Sequence, residues 1–403
     1  MPSSTTKCWA AITARWNYRS GCEQRTVKNM ASHAAGGAFL LESILTRQTK
    51  AELMQLCRKL QIKGVSGLRK SRLVAYLRQR LPAVIAGKML CWDQSIYSLV
   101  QEITTLTQIH RLEAEGSSPA EDYLLEEYVG FPETYGDHLY LIIPLEIQEL
   151  FFALDGPAYR RKVRENTEIA RLTRGLLHYY GCLPLHELGK MLNRLLPEPV
   201  DVASIGEVLR EIGFYSWNIV FERGYFCDGR LTDLDYLLAA LRERRALEYR
   251  PLSYAEAWQA GEASFYHRNM RQIREVASFL HKHQLEEEAP YFLDLLFSLV
   301  QTDLSPPEIV YALLEHMERA TDEDITELAL VVFDFYHCVP HWVLKGHSPE
   351  EIMERATRPD PPREDRLKRK AIVYDFATRK RLSPDAPCPC GSQLDYGHCC
   401  GSA

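Results

Sequence analysis

The residues with the most legible chemistry sit at the C-terminal end of the chain. There CPCGSQLDYGHCCG places Cys388 and Cys390 two apart and Cys399 and Cys400 after eight intervening residues. Of eleven cysteines, seven are scattered singly and four crowd into the last sixteen residues, a clustering that points to a metal and not to a disulfide framework. Four thiolates can close tetrahedrally on Zn2+ at about 2.3 Å each, and the intervening Gly391 and Gly397 permit the tight turns that closure demands. His398 is the alternative to Cys400 as fourth donor. Four sulfur ligands leave no open coordination position, so the expectation is one zinc ion with a structural role. So short a segment buries no core, and zinc binding, worth about 10–16 kcal/mol, would supply its folding.

A second concentration of chemistry lies between residues 46 and 81, which carry ten Lys and Arg against one acidic residue. A polyanion site needs cations on a framework that can approach phosphate. Thr49 followed by Glu52 has capping-box spacing, and Leu53, Leu56, Cys57 and Leu60 fall on one helical face. The glycine-rich link from Ile62 to Gly67 interrupts that helix, and Leu68, Leu73, Val74 and Leu77 predict a second amphipathic helix that Pro82 closes. Lys63, Arg69, Lys70, Arg72 and Arg78, with Arg80, then lie in or just after the turn at a helix start, where backbone N–H groups add to the attraction for phosphate. The expected ligand is DNA or RNA, held through phosphates and without base specificity. GVSGLRKS is not a phosphate loop, because that motif requires glycine directly before the lysine and Arg69 stands there.

Other chemistry-bearing residues read as structural. His337, Cys338, His341 and His347 have no carboxylate at motif-like spacing, and Pro340 breaks the helix that would align them, so core or loop roles are expected. His186 and Glu187 lack the second histidine of a metalloprotease helix. The sequence offers no catalytic constellation, and a non-enzymatic binding protein is expected.

Two stretches carry family resemblances. LTRQTKAELMQLCRKLQIKGVSGLRKSRLVAYLRQRL resembles the SAP and Rho N-terminal helix-extension-helix modules, through the Thr49 and Glu52 start, Leu53, Leu56, Leu60, Ile62, the Gly64 to Ser66 link, Leu68, Arg69, Lys70, and Leu73 to Leu77. That resemblance covers about forty residues and implies DNA or RNA binding. CPCGSQLDYGHCCG resembles the SEC-C motif, a small zinc module found on many otherwise unrelated bacterial proteins. It implies Cys388, Cys390, Cys399 and Cys400 as ligands, with Ser392 and Tyr396 also matching. Gln393, Leu394 and Asp395 stand where that motif is usually lysine-rich, which puts any partner recognised through those lysines in question.

These sites need elements to hold them. With 403 residues, 46% apolar and 25% charged, the chain is long enough for several domains. The net charge of −6 conceals a segregation: residues 82–352 carry 23 basic against 44 acidic side chains, whereas residues 353–382 carry 10 against 5. No apolar run reaches the roughly 18 residues of a membrane helix, so no membrane insertion is expected. The N-terminus lacks a continuous apolar stretch, and a cytoplasmic location is expected. Met30 is a second candidate start of translation.

The expected fold is mainly α and multidomain, with a small β wing in a winged-helix-like domain and a zinc module. In order, we expect a poorly ordered tail (1–42), the nucleic-acid-binding module (43–82), a mainly helical subdomain (83–165), the winged-helix-like domain (166–252), a helical domain (253–356), a basic proline-containing linker (357–387) and the zinc module (388–403). Within them, helices are predicted over 92–110, 119–128, from Asn166 to Tyr180, Pro184 to Leu195 and Val202 to Ile212. FYSWNIVF and YFCDG would follow as strands turned at Glu222, Arg223 and Gly224. Asp201, Glu207 and Glu211 oppose Arg210 alone on the third of the helices from Asn166, so this domain is expected to dock protein or to act as scaffold. The functional expectation is a tether joining DNA or RNA to an unidentified protein partner. The alternative is a ribosome- or secretion-associated adaptor that docks through the zinc module.

Overall fold

The computed structural model describes residues 40–104, 109–112, 117–135, 137–216, 218–262, 271–283, 289–302, 304–314, 321–357, 383, 385–388, 392 and 394–398. The expected tail lies outside these except for its last three residues. The chain divides into two compact units, residues 1–350 and 351–403. The fold is mostly helical with two small antiparallel sheets.

The first unit opens with α1 (Leu41–Arg47) and α2 (Lys50–Lys59). Thr49 starts α2 with the predicted capping box: its hydroxyl accepts from the Glu52 N–H, and the Glu52 carboxylate accepts from the Thr49 N–H at 2.7 Å. The helix ends in a Schellman arrangement, with Ile62 N–H on the Cys57 carbonyl (2.7 Å) and Gln61 N–H on that of Arg58. Gln61 takes the left-handed conformation, φ 54°, that such an ending needs. The link then leads into α3 (Lys70–Met89), which does not stop at Pro82 as expected but runs seven residues past it. Proline costs a helix its N–H bond to the residue four earlier, here Arg78, which is exposed to water. Leu81, Ile85 and Met89 are fully buried, and that burial outweighs the cost.

Next come α4 (Gln94–Glu102), β1 (Ile109–Arg111), α5 (Pro119–Glu126), β2 (Phe131–Tyr135), β3 (His138–Ile142) and α6 (Leu145–Leu154). The helix expected over 92–110 therefore gives way to a strand, and β3 sits between β1 and β2 in the first sheet. Helix α7 (Pro157–Tyr180) begins nine residues before the expected Asn166, so the expected boundaries at 82 and 165 both fall inside helices. A short strand β4 (Cys182–Pro184), α8 (Leu185–Leu195), α9 (Val202–Ile212), β5 (Val220–Glu222) and β6 (Tyr225–Cys227) follow. The hairpin turns on Arg223 and Gly224, both at positive φ, as a two-residue hairpin loop requires. The second sheet has the order β4-β6-β5. One continuous core, from Leu41 to Ala260, joins residues 43–82 to the helices that follow.

A second core gathers α10 (Leu234–Glu243), α12 (Arg271–Lys282), α13 (Ala289–Val300), α14 (Pro306–Leu314) and α15 (Asp322–Cys338). Helix α11 (Tyr254–Ala260) instead packs on α7 in the first core. Trp342, fully buried in a short turn after α15, donates from its indole to the His178 carbonyl at 2.9 Å and so ties this core to α7. Helix α16 (Pro349–Thr357) follows. No helix among the described residues is long and apolar enough to cross a membrane.

Candidate nucleic-acid interface and metal module

The link and the start of α3 bring the expected phosphate-binding residues into one stretch. Lys63 is exposed in the link beside Gly64, which takes φ 80°. Arg69 is the residue that begins α3 and offers no side-chain cap, and Lys70 and Arg72 occupy the first turn. That turn contains no acidic residue. Acidic residues stabilise this end of a helix and cations oppose it, each by about 0.3–1 kcal/mol, so the start of α3 is composed against its own stability and in favour of an incoming anion.

Not every predicted cation is equally available. The Lys70 ammonium donates to the Thr46 carbonyl at 2.8 Å, fastening α3 to the end of α1. Arg78 pairs with Glu42, and Arg47 with Glu133 at 3.0 Å. Lys63, Arg69 and Arg72 have no carboxylate partner among the described residues, and neither do Lys50, Arg58 and Arg80. The expected set thus resolves into three unpaired cations around the α3 start, one held by a carbonyl and one neutralised.

The remaining cation of the stretch, Lys59, serves the interior. Its Nζ lies 3.1 Å from Glu127, whose other oxygen is 3.0 Å from Lys88, and Lys88 in turn is 2.8 Å from Glu211. Tyr123 donates its hydroxyl to Glu211 and accepts from the Trp92 indole. Burial alone would lower the Lys88 pKa, but Glu211 and Glu127 outweigh it and hold the ammonium charged, its pKa raised. The same balance raises Lys59. This alternating chain welds α2 and α3 to α9. Sequence reasoning missed it because the four residues span more than 150 positions.

The histidines of the α15 end reach backbone carbonyls, His337 that of Phe333. His341 is buried and its Nε2–H donates to the Tyr336 carbonyl at 2.7 Å; burial depresses its pKa to about 4. His347 reaches the Glu248 carbonyl. A group the sequence did not suggest lies where α12 ends and α15 begins: the ligand atoms of His283, Asp324 and Glu327 fall within 4.8 Å of one another. His283 Nε2 stands 3.6 Å from Asp324, beyond hydrogen-bond length, while Lys282 pairs with Glu327 at 2.5 Å. The Lys282 ammonium, also 3.8 Å from Asp324, offsets part of the charge of these carboxylates.

In the second unit, Cys388 is buried and its N–H donates to the Leu394 carbonyl at 2.9 Å. Pro387 bridges Asp395, and the Tyr396 N–H donates to Ala386 at 2.7 Å. This small loop returns the chain beside Cys388 just before the position of Cys399 and Cys400. Those two and Cys390 lie outside the described residues. His398 is exposed and turned toward Asp395, 4.0 Å away, which suits a bystander better than a ligand. Residues 386–402 match the SEC-C motif. The match covers this tail alone, and it associates the segment with zinc binding. No curated protein and no solved structure matches the chain.

Proposed function

We propose that the protein is a non-enzymatic tether, which holds DNA or RNA through phosphates at the start of α3 and engages a protein partner through its acidic helical body and its SEC-C module. The observation that carries the reading is the α3 N-terminus itself. A twenty-residue helix begins without a cap, with Arg69, Lys70 and Arg72 where acidic residues would stabilise it, and Lys63 stands in the link before it. Arg69, Arg72 and Lys63 have no carboxylate partner among the described residues. Helix N–H groups and cations together suit phosphate and carry no base information.

The helix-strand-helix-helix-hairpin order of residues 157–227, with β4 pairing β6, supports reading it as a winged-helix-like domain. Its third helix, α9, spends Glu211 on Lys88 and exposes Glu207, so it suits protein docking better than a DNA groove. The SEC-C tail would hold a single structural zinc through Cys388, Cys390, Cys399 and Cys400. The test is charge reversal: Arg69→Glu with Arg72→Glu should weaken binding to duplex DNA, single-stranded DNA and RNA of any sequence by at least tenfold in fluorescence anisotropy. Unchanged affinity, with the variant folded by circular dichroism, would refute the site.

A further inference from the structure

Beyond the first turn of α3 lies a feature that phosphate binding alone does not use. Tyr76 is 39% exposed in the middle of an otherwise cationic surface. Arg72 and Arg80, both exposed, stand four residues before and after it, so the three lie along one i, i+4 ridge with the ring about 6 Å of helix rise from each arginine. Helix α3 contains no Asp or Glu in all its twenty residues, and neither arginine has a carboxylate partner among the described residues. At its start the ridge ends on Arg72, itself a cation of the first turn. A cationic ridge of this kind would attract any polyanion, but an aromatic ring set within it contributes only if the ligand offers a flat apolar face.

We infer that this surface selects single-stranded nucleic acid, with Tyr76 stacking on an unpaired base while Arg72 and Arg80 hold the phosphates on either side. The inference rests on the nucleic-acid reading above and names the form of polymer it takes. In a duplex the base faces are covered by one another and only the backbone is available to α3. In a single strand a base can turn onto the ring, a contact tolerant of sequence because every base has a π-face. Gln79 and Arg80, three and four positions after Tyr76, are long enough to reach the edge of a base stacked there.

The test is anisotropy on the full-length protein with labelled oligouridine, oligothymidine and a duplex of equal length. Tyr76→Ala should weaken binding of both single strands roughly 5- to 150-fold, the equivalent of about 1–3 kcal/mol of stacking, and leave duplex binding unchanged. Tyr76→Phe should bind as wild type, and the salt dependence should stay the same because no charge is lost. Tyr76→Leu, which keeps an apolar stem and good helix propensity, replaces the alanine variant if that one unfolds. A Tyr76→Ala or Tyr76→Leu protein that binds single strands like wild type would overturn the stacking role while leaving phosphate binding in place. Wild-type protein that binds none of the three polymers would overturn the nucleic-acid reading itself, and this inference with it.

Discussion

A buried imidazole reports on its surroundings through its proton. His341 is 3% exposed, donates from Nε2 to the Tyr336 carbonyl, and has no counter-ion among the described residues to favour its charged form. Desolvation therefore depresses its pKa from the ordinary value of 6.5 to about 4. A histidine depressed on folding contributes stability above its unfolded pKa, and the contribution drains away as pH falls toward the folded value. The protein should accordingly lose up to about 3 kcal/mol of stability between pH 6.5 and pH 4 through this residue. Urea denaturation across that range should show the loss in wild type and a much flatter profile in His341→Gln. The structural role of this histidine was legible from Pro340 and the missing carboxylates. Its carbonyl partner was not, because nothing in sequence spacing says how the chain turns back after α15.

The helices α7 and α11 meet more closely than side chains allow, and two glycines make it so. A Cβ on Gly175 would sit 1.9 Å from the Ala257 carbonyl oxygen, and one on Gly261 would sit 1.8 Å from that of Arg171. The approach is locked by Arg171 and Arg174, whose Nε groups donate to Trp258 and Gly261 carbonyls at 2.9 and 3.0 Å, with the Trp258 ring 4.1 Å from the Arg171 guanidinium. Backbone cannot yield as a side-chain tip can, so Gly175→Ala should destabilise the protein by about 3 kcal/mol or more, measured by chemical denaturation. An effect below 1 kcal/mol would mean the helices stand further apart. Most elements of α2, α8, α9 and the β5–β6 hairpin were legible, because caps, apolar spacing and the Arg223-Gly224 turn are local signals. The first two turns of α7 were not, since only Tyr159 and Val163 among their charged residues are buried. The extension of α3 past Pro82 was hidden for the opposite reason: a local breaker was overridden by burial that depends on the rest of the fold.

Across the whole molecule, charge is segregated along the chain. Residues 46–81 are basic, residues 82–352 acidic, and part of the basic excess is consumed in joining the two through Lys59, Lys88, Glu127 and Glu211. Of the expected phosphate-binding set, the members without a carboxylate partner among the described residues, Lys63, Arg69 and Arg72, gather around the start of α3. The SEC-C match was legible from the cysteine spacing, and if the proposed ligand set is right native mass spectrometry under reducing conditions should find one zinc per chain, lost in Cys388→Ser. A chain that carries none would refute the ligand set. The proposed protein partner was not legible, since shape and charge complementarity are properties of two surfaces and a sequence writes only one. The most direct test of the tether is the salt dependence of binding to labelled duplex DNA. Three to five phosphate contacts predict affinity falling with a log–log slope of about 3 to 4, and Arg69→Glu with Arg72→Glu should flatten it. Binding that is absent from duplex and single strands alike, or that persists undiminished in that variant, would contradict the account.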